Sequence, residues 1–139
     1  MIQFNYETQF ELPDESRYAD WISGVISSEQ KQEGEINYIF CDDDYLIEIN
    51  RQYLDHDTLT DIISFDYSER NILQGDIFIS VERVRENARD FGVSFDEELR
   101  RVMAHGVLHY CGYKDKSESD EAIMRVKEEE KMKLFLSDN

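Results

Sequence analysis

Proline is almost absent from this 139-residue chain, which has one, while cysteine occurs twice and glycine six times. Such scarcity excludes Pro/Gly-rich low-complexity and collagen-like architectures. Cys41 and Cys111 form no CxxC pair and are too few for a disulfide framework, so neither a covalent staple nor a thiolate zinc cluster is implied. Both read as small buried residues. Positive charge is scarce too: 15 Lys and Arg stand against 32 Asp and Glu, a formal net charge of −17. A surface of that sign does not gather nucleic acid non-specifically, because it has no basic field with which to release counterions. It still permits one cleft in which a bound dication and a few arginines invert the local potential. No apolar run is long enough to span a bilayer, and "MIQFNYETQF" lacks the basic-then-apolar layout of a signal peptide. No membrane association and a cytoplasmic location are expected.

What is present is enough for a core. A hydrophobic fraction of 40%, with 12% aromatic, is interspersed with charge along the whole chain, which predicts one globular domain over residues 1–139. Ile2 and Phe4 alternate with polar residues as in a half-buried strand. Between Asp14 and about Ser28, Tyr18, Trp21, Ile22, Val25 and Ile26 recur at helical spacing behind Pro13. A β-rich run from about Glu35 to Cys41 follows, and Asp42 or Asp43 can cap a helix carrying Leu46, Ile47, Ile49, Asn50 and Tyr53. Two strands come next, "DIISFDY" and "ILQGDIFIS", with Gly75 marking a bulge or close backbone approach. A helix from Val81 stops at Gly92, and Ser94 with Glu97 matches a capping box. Leu99, Val102, Met103, Gly106, Val107 and Tyr110 then form an apolar stripe, and a last helix packs through Ile123, Val126, Leu134 and Phe135. The order predicts an α+β fold: a mixed, mostly four-stranded sheet packed with about five helices, the helix that starts at the Ser94 cap and is ended by Gly112 central. Which strands run parallel is not given by this order.

That central helix carries "AHGVLHYCGYKD", Ala104 to Asp115. His105 and His109 lie about 40° apart around the axis and one turn apart along it, so both imidazoles can face one ion. Gly112 allows the chain to fold back, bringing Asp115 toward them as an oxygen donor. Two imidazoles and a carboxylate suit zinc with an open position, and also other divalent transition metals. Such an ion is a Lewis acid and acidifies a bound water. An isolated HxxxH is more often incidental than catalytic, and Gly106 occupies the position where a zinc protease of the HExxH type has its glutamate.

Three blocks make the pattern more specific. "HGVLHYCGYKD" resembles the H-G-x-L-H-L-x-G-Y-D-H signature of the YbeY rRNA maturation endoribonucleases, through His105, Gly106, Leu108, His109, Gly112 and Tyr113. Thr60 to Phe65 is similar to that family's T-D-V-L-S-F, and Gly75-Asp76-Ile77 to its G-D-I, in the same order and spacing. The resemblance implies a metal-dependent, single-strand-specific endoribonuclease that works on rRNA with the small ribosomal subunit. It implies a metal on His105, His109 and Asp115, with His105, His109 and Asp61 as the catalytic set. Asp115 stands where the family has a third histidine, Lys114 where it has an aspartate, and Leu54 where it tends to have an arginine. Arg51, one turn earlier, is the candidate replacement for that phosphate contact, and Ser64 a second substrate contact. Asp61 serves as base or as outer partner of a histidine N–H, or, like Asp76, caps a strand or turn. His56 is read as a solvated loop residue. The rival readings are a metallohydrolase of another substrate such as a peptide, and a ribosome-assembly factor whose metal is structural.

Overall fold

The computed structural model describes residues 1–54 and 59–137, so His56 lies outside the described residues. β1 (Ile2–Tyr6) alternates half-buried Ile2, Phe4 and Tyr6 with exposed Gln3 and Asn5, as a strand with one covered face must. β2 (Gln32–Cys41) and β4 (Ile72–Ser80) form the middle of a four-stranded sheet ordered β1-β2-β4-β3, with β3 (Ile62–Asp66) at the far edge. β1, β2 and β4 are mutually parallel, and β3 returns antiparallel to β4. β2 starts three residues earlier than its β-formers suggest, because Gly34 lies against the Leu73 carbonyl and the Gln74 side chain, where the register shifts by a bulge.

Alternation along these strands sorts the molecule into layers. Ile36, Tyr38 and Phe40 of β2 and Leu73, Ile77 and Ile79 of β4 face the main core. That core is closed by α1 (Glu15–Ser28), α3 (Val81–Phe91) and α4 (Phe95–Tyr110), and by Phe135 of α5 (Glu118–Ser137). Tyr18, Trp21, Ile22, Val25 and Ile26 are the buried residues of α1, as their spacing predicts. The opposite face is covered by α2 (Asp43–Leu54), where Leu46 meets Cys41 and Ile63 in a smaller cluster. Among the described residues no helix is long and apolar enough to cross a membrane.

Local signals place the helix ends. Asp42, not Asp43, caps α2, accepting from the Tyr45 N–H at 2.9 Å, and Gly92 takes the left-handed conformation after α3 at φ 68°. Ser94 caps α4 by accepting from the Glu97 N–H at 3.1 Å. The last helix differs from the sequence reading. Ile123, Val126 and Leu134 are exposed and only Phe135 of the expected set is buried; the buried stripe is Met124, Glu128, Lys131, Met132 and Phe135. Two charges within that stripe hide it from a search for apolar periodicity. Lys131 is held by Glu29 at 2.7 Å and Ser28 at 2.9 Å, while Glu128 is engaged by α4.

Gly75 is where α4 docks on the sheet. The Tyr110 hydroxyl donates to the Phe65 carbonyl at 2.8 Å and lies 3.2 Å from that of Asp76, directly over this glycine. A β-carbon there would come closer than 3.0 Å to both the Phe65 carbonyl oxygen and the Tyr110 ring. Gly75→Ala is therefore expected to lower stability by more than about 2 kcal/mol through overpacking. Urea denaturation measures this, and an unchanged midpoint would contradict the close approach.

Candidate metal centre

α4 presents its apolar stripe to the sheet, with Leu99, Val102, Met103, Gly106, Val107 and Tyr110 all buried. That fixes the rotation of the helix and leaves His105 and His109 at the rim, with side chains 20% and 31% exposed. Beyond the helix, Gly112 adopts φ 104° and the chain turns back, closed by the Tyr113 N–H to the Leu108 carbonyl at 3.1 Å. The Tyr113 hydroxyl donates to Glu29 at 2.7 Å, tying this turn to the C-terminal end of α1. Asp115 then reaches the histidines, its side chain 40% exposed.

Hydrogen bonds at the rear of each ring assign the tautomers. His109 Nδ1 lies 2.9 Å from the Tyr113 carbonyl, which only accepts, so Nδ1 carries the proton. His105 Nδ1 likewise donates to Glu128 Oε2 at 2.7 Å. In the neutral rings both Nε2 atoms therefore present lone pairs, and these face one another at 2.9 Å. Asp115 Oδ2 completes a triangle, 3.2 Å from each nitrogen. With both rings neutral, three electron-pair donors so close repel unless a cation, either a metal ion or a proton on one imidazole, lies among them. For a tetrahedral ion with ligands at about 2.0–2.1 Å the ligand–ligand edge is about 3.3–3.4 Å, close to all three sides. The donor set fits a metal such as zinc, and His105, His109 and Asp115 are the group among the described residues that meets this convergence.

The surroundings add a polar cleft of about 410 Å³, in which Asp61 and Ser64 lie beside the histidines and Asp115. Asp61 accepts from the Asn87 amide at 3.3 Å, and burial raises its carboxyl above the usual range against the pull of His105. Burial alone would lower the His105 pKa, but its bond to Glu128 and the charges of Glu128, Asp115 and Asp61 leave it raised. Asp76 is not in this cleft. It accepts from the Asn37 amide at 3.0 Å across the β2–β4 pair, inside a strand rather than as the cap of a strand or turn. Arg51 does not line the cleft either: it sits on α2, across the sheet, and bonds Glu48 at 2.9 Å. The structure thus does not bring the expected replacement for the missing arginine into the lining of this cleft.

Three residues escaped the sequence reading. Glu128 bridges His105 and Arg101, whose guanidinium also reaches Glu129 at 2.6 Å and Glu98 at 3.6 Å, so α4 and α5 are joined through charge. Glu98 is buried with Oε1 lacking a hydrogen bond, and burial pushes its carboxyl up to about 7 despite Arg101. Glu128 lies within the run Lys127 to Lys131, where only its helical spacing from Met124, Lys131 and Phe135 distinguishes it from its neighbours. Glu128→Gln is expected to weaken zinc binding by about 10–100-fold, the usual cost of losing an outer partner of a metal-binding histidine. Chelator competition measures it, with circular dichroism as the control for folding; wild-type affinity in the variant would contradict the role.

A family model described as Endoribonuclease YbeY matches residues 3–135. Relatives bearing that name include one from Flavobacterium psychrophilum, 70% identical over 135 residues that cover 97% of this chain and 96% of the relative. Another, from Flavobacterium johnsoniae, is 67% identical over 135 residues, 97% of each chain. Among solved structures, the solution structure of TM1509 from Thermotoga maritima matches with a TM-score of 0.71 at 25% identity, covering 99% of this chain and 90% of that one. A match that spans nearly the whole chain, over the same histidine pair and turn that build the centre, places this chain in the YbeY endoribonuclease family.

Proposed function

We propose that residues 1–139 act as one metal-dependent endoribonuclease domain that cuts single-stranded RNA during rRNA maturation. Its substrate is the 3′ end of 16S rRNA, its partner the small ribosomal subunit, its role extends to ribosome quality control, and its location is the cytoplasm. The observation that carries this reading is the convergence of His105 Nε2, His109 Nε2 and Asp115 Oδ2 within 3.2 Å, in a chain of the YbeY family. Zinc, or another divalent transition ion, held there supplies Lewis-acid polarisation of a phosphoryl oxygen and a more acidic water.

The chain's own groups do the rest. Glu128 and the Tyr113 carbonyl hold the two Nδ1 protons, which keeps both Nε2 lone pairs directed at one point. Asp61 faces the same cleft with its carboxylate oriented by Asn87, and accepts the proton of the attacking water. Its raised pKa brings it nearer the range useful to a base at neutral pH. Ser64 lines the cleft on β3 and offers a hydroxyl to the substrate. The absence of a glutamate after His105 weighs against the peptidase alternative.

Cleavage of a single-stranded oligoribonucleotide and of a peptide, each by zinc-loaded protein, tests the assignment. His109→Ala is expected to lose RNA cleavage by more than the roughly 10–100-fold that an outer partner costs. Asp115→His, which writes the family's third histidine, is expected to retain it. Peptide cleavage without RNA cleavage, or full activity in His109→Ala, would contradict the proposal.

A further inference from the structure

The cleft around the metal centre contains two groups that the proposed chemistry does not use. Phe91, the last residue of α3, is 59% exposed although it lines the cleft. Other phenylalanines near this end are occupied: Phe95 packs on Phe10 under Arg85, and Phe135 on Trp21 and Tyr18 under Arg17 and Arg100. Among the described residues no ring or cation covers Phe91. Among the described residues the four exposed Phe, Tyr or Trp side chains are Tyr45, Tyr53, Tyr67 and Phe91, and Phe91 alone of them lines the cleft.

The second group is Arg125 on α5. It lines the same cleft and an adjoining cavity of about 210 Å³ shared with His105, Asp115 and Glu128. The other arginine of the cleft, Arg101, is committed to Glu98, Glu128 and Glu129. Arg125, in a chain with more than twice as many acids as bases, has no carboxylate within 4.0 Å among the described residues, and its charge acts on Glu98 and Glu129 only from farther off. α3 and α5 both pack on α4, so Phe91 and Arg125 approach the cleft from separate helices with the α4 histidines at its floor.

A flat apolar face and an uncommitted guanidinium are the two recognition elements of single-stranded nucleic acid: every base has a face to stack, and every linkage a phosphate to pair. We infer that Phe91 and Arg125 form a two-point clamp for single-stranded RNA, one base stacking on the Phe91 ring and the phosphate nearest the metal centre pairing with the Arg125 guanidinium. This rests on the reading that the substrate is RNA. The clamp supplies the phosphate contact that Leu54 cannot make, from a residue that, unlike Arg51, lines the cleft. It also prefers a single strand, since a base already stacked in a duplex presents no free face to Phe91.

Fluorescence anisotropy of a labelled oligouridylate over a sodium chloride series, with full-length protein, tests this. Phe91→Ala is expected to weaken binding about tenfold without changing the salt slope, and Phe91→Trp to restore it. Arg125→Ala is expected to weaken binding and to reduce the slope of log K against log salt by about 0.7, one phosphate's share on a single strand. Zinc content, measured in parallel, stays at the wild-type level in all three. If wild type binds the RNA and both alanine variants match it in affinity and slope, the clamp is overturned while the proposed function stands. If Phe91→Trp fails to recover what Phe91→Ala loses, stacking is overturned as the cause. If wild type neither binds nor cuts the RNA, the proposed function fails and the clamp with it.

Discussion

Two imidazole nitrogens and a carboxylate oxygen held within 3.2 Å of one another are, when both rings are neutral, a repulsive arrangement that a protein maintains only by force from outside it. That force is traceable. α4 cannot rotate away, because its apolar stripe is buried against the sheet and Tyr110 is bonded over Gly75. The His109 ring cannot turn without giving up the Tyr113 carbonyl, nor the His105 ring without giving up Glu128. Asp115 is returned to the site by the Gly112 turn, which Tyr113 anchors to Glu29 at the C-terminal end of α1. A dication held there would convert the repulsion into attraction, and the energy of these restraints would then appear as metal affinity.

A dication at the same centre would let so acidic a protein handle a polyanion. Charge is not spread evenly: Asp61, Glu98, Asp115 and Glu128 all line the cleft, with Arg101 and Arg125 among them. At about 4 Å and an effective dielectric near 20, a pair of unit charges interacts by about 4 kcal/mol, so a dication among carboxylates dominates the local field. Burial works in the same direction. Glu98, pushed up to about 7, is partly neutral near physiological pH and adds less negative charge than its identity suggests.

Legibility in the sequence followed how local each determinant is. The α4 stripe, the cap at Ser94, the αL glycine at Gly92 and the buried face of α1 depend on neighbours a few residues apart, and the structure has them where the spacing put them. The His105–His109 pair and its turn to Asp115 are local in the same sense, spanning eleven residues of one helix end. Strand direction is not local, and neither is Glu128, which reaches His105 from 23 residues away. A charged residue buried because it is paired breaks the apolar periodicity used to find buried faces, and α5 was misread for that reason. Arg51 illustrates a related point: nearness in sequence to Leu54 does not say whether a side chain lines the cleft, and Arg51 does not.

X-ray absorption spectroscopy at the zinc edge of the metal-loaded protein tests the central claim most directly, because it reads ligand type and distance without a substrate. Two imidazole nitrogens and light oxygen scatterers at about 2.0–2.1 Å, with the imidazole multiple-scattering pattern, are the predicted first shell. A sulfur scatterer near 2.3 Å, which would implicate Cys41 or Cys111, or a spectrum without imidazole, would contradict it.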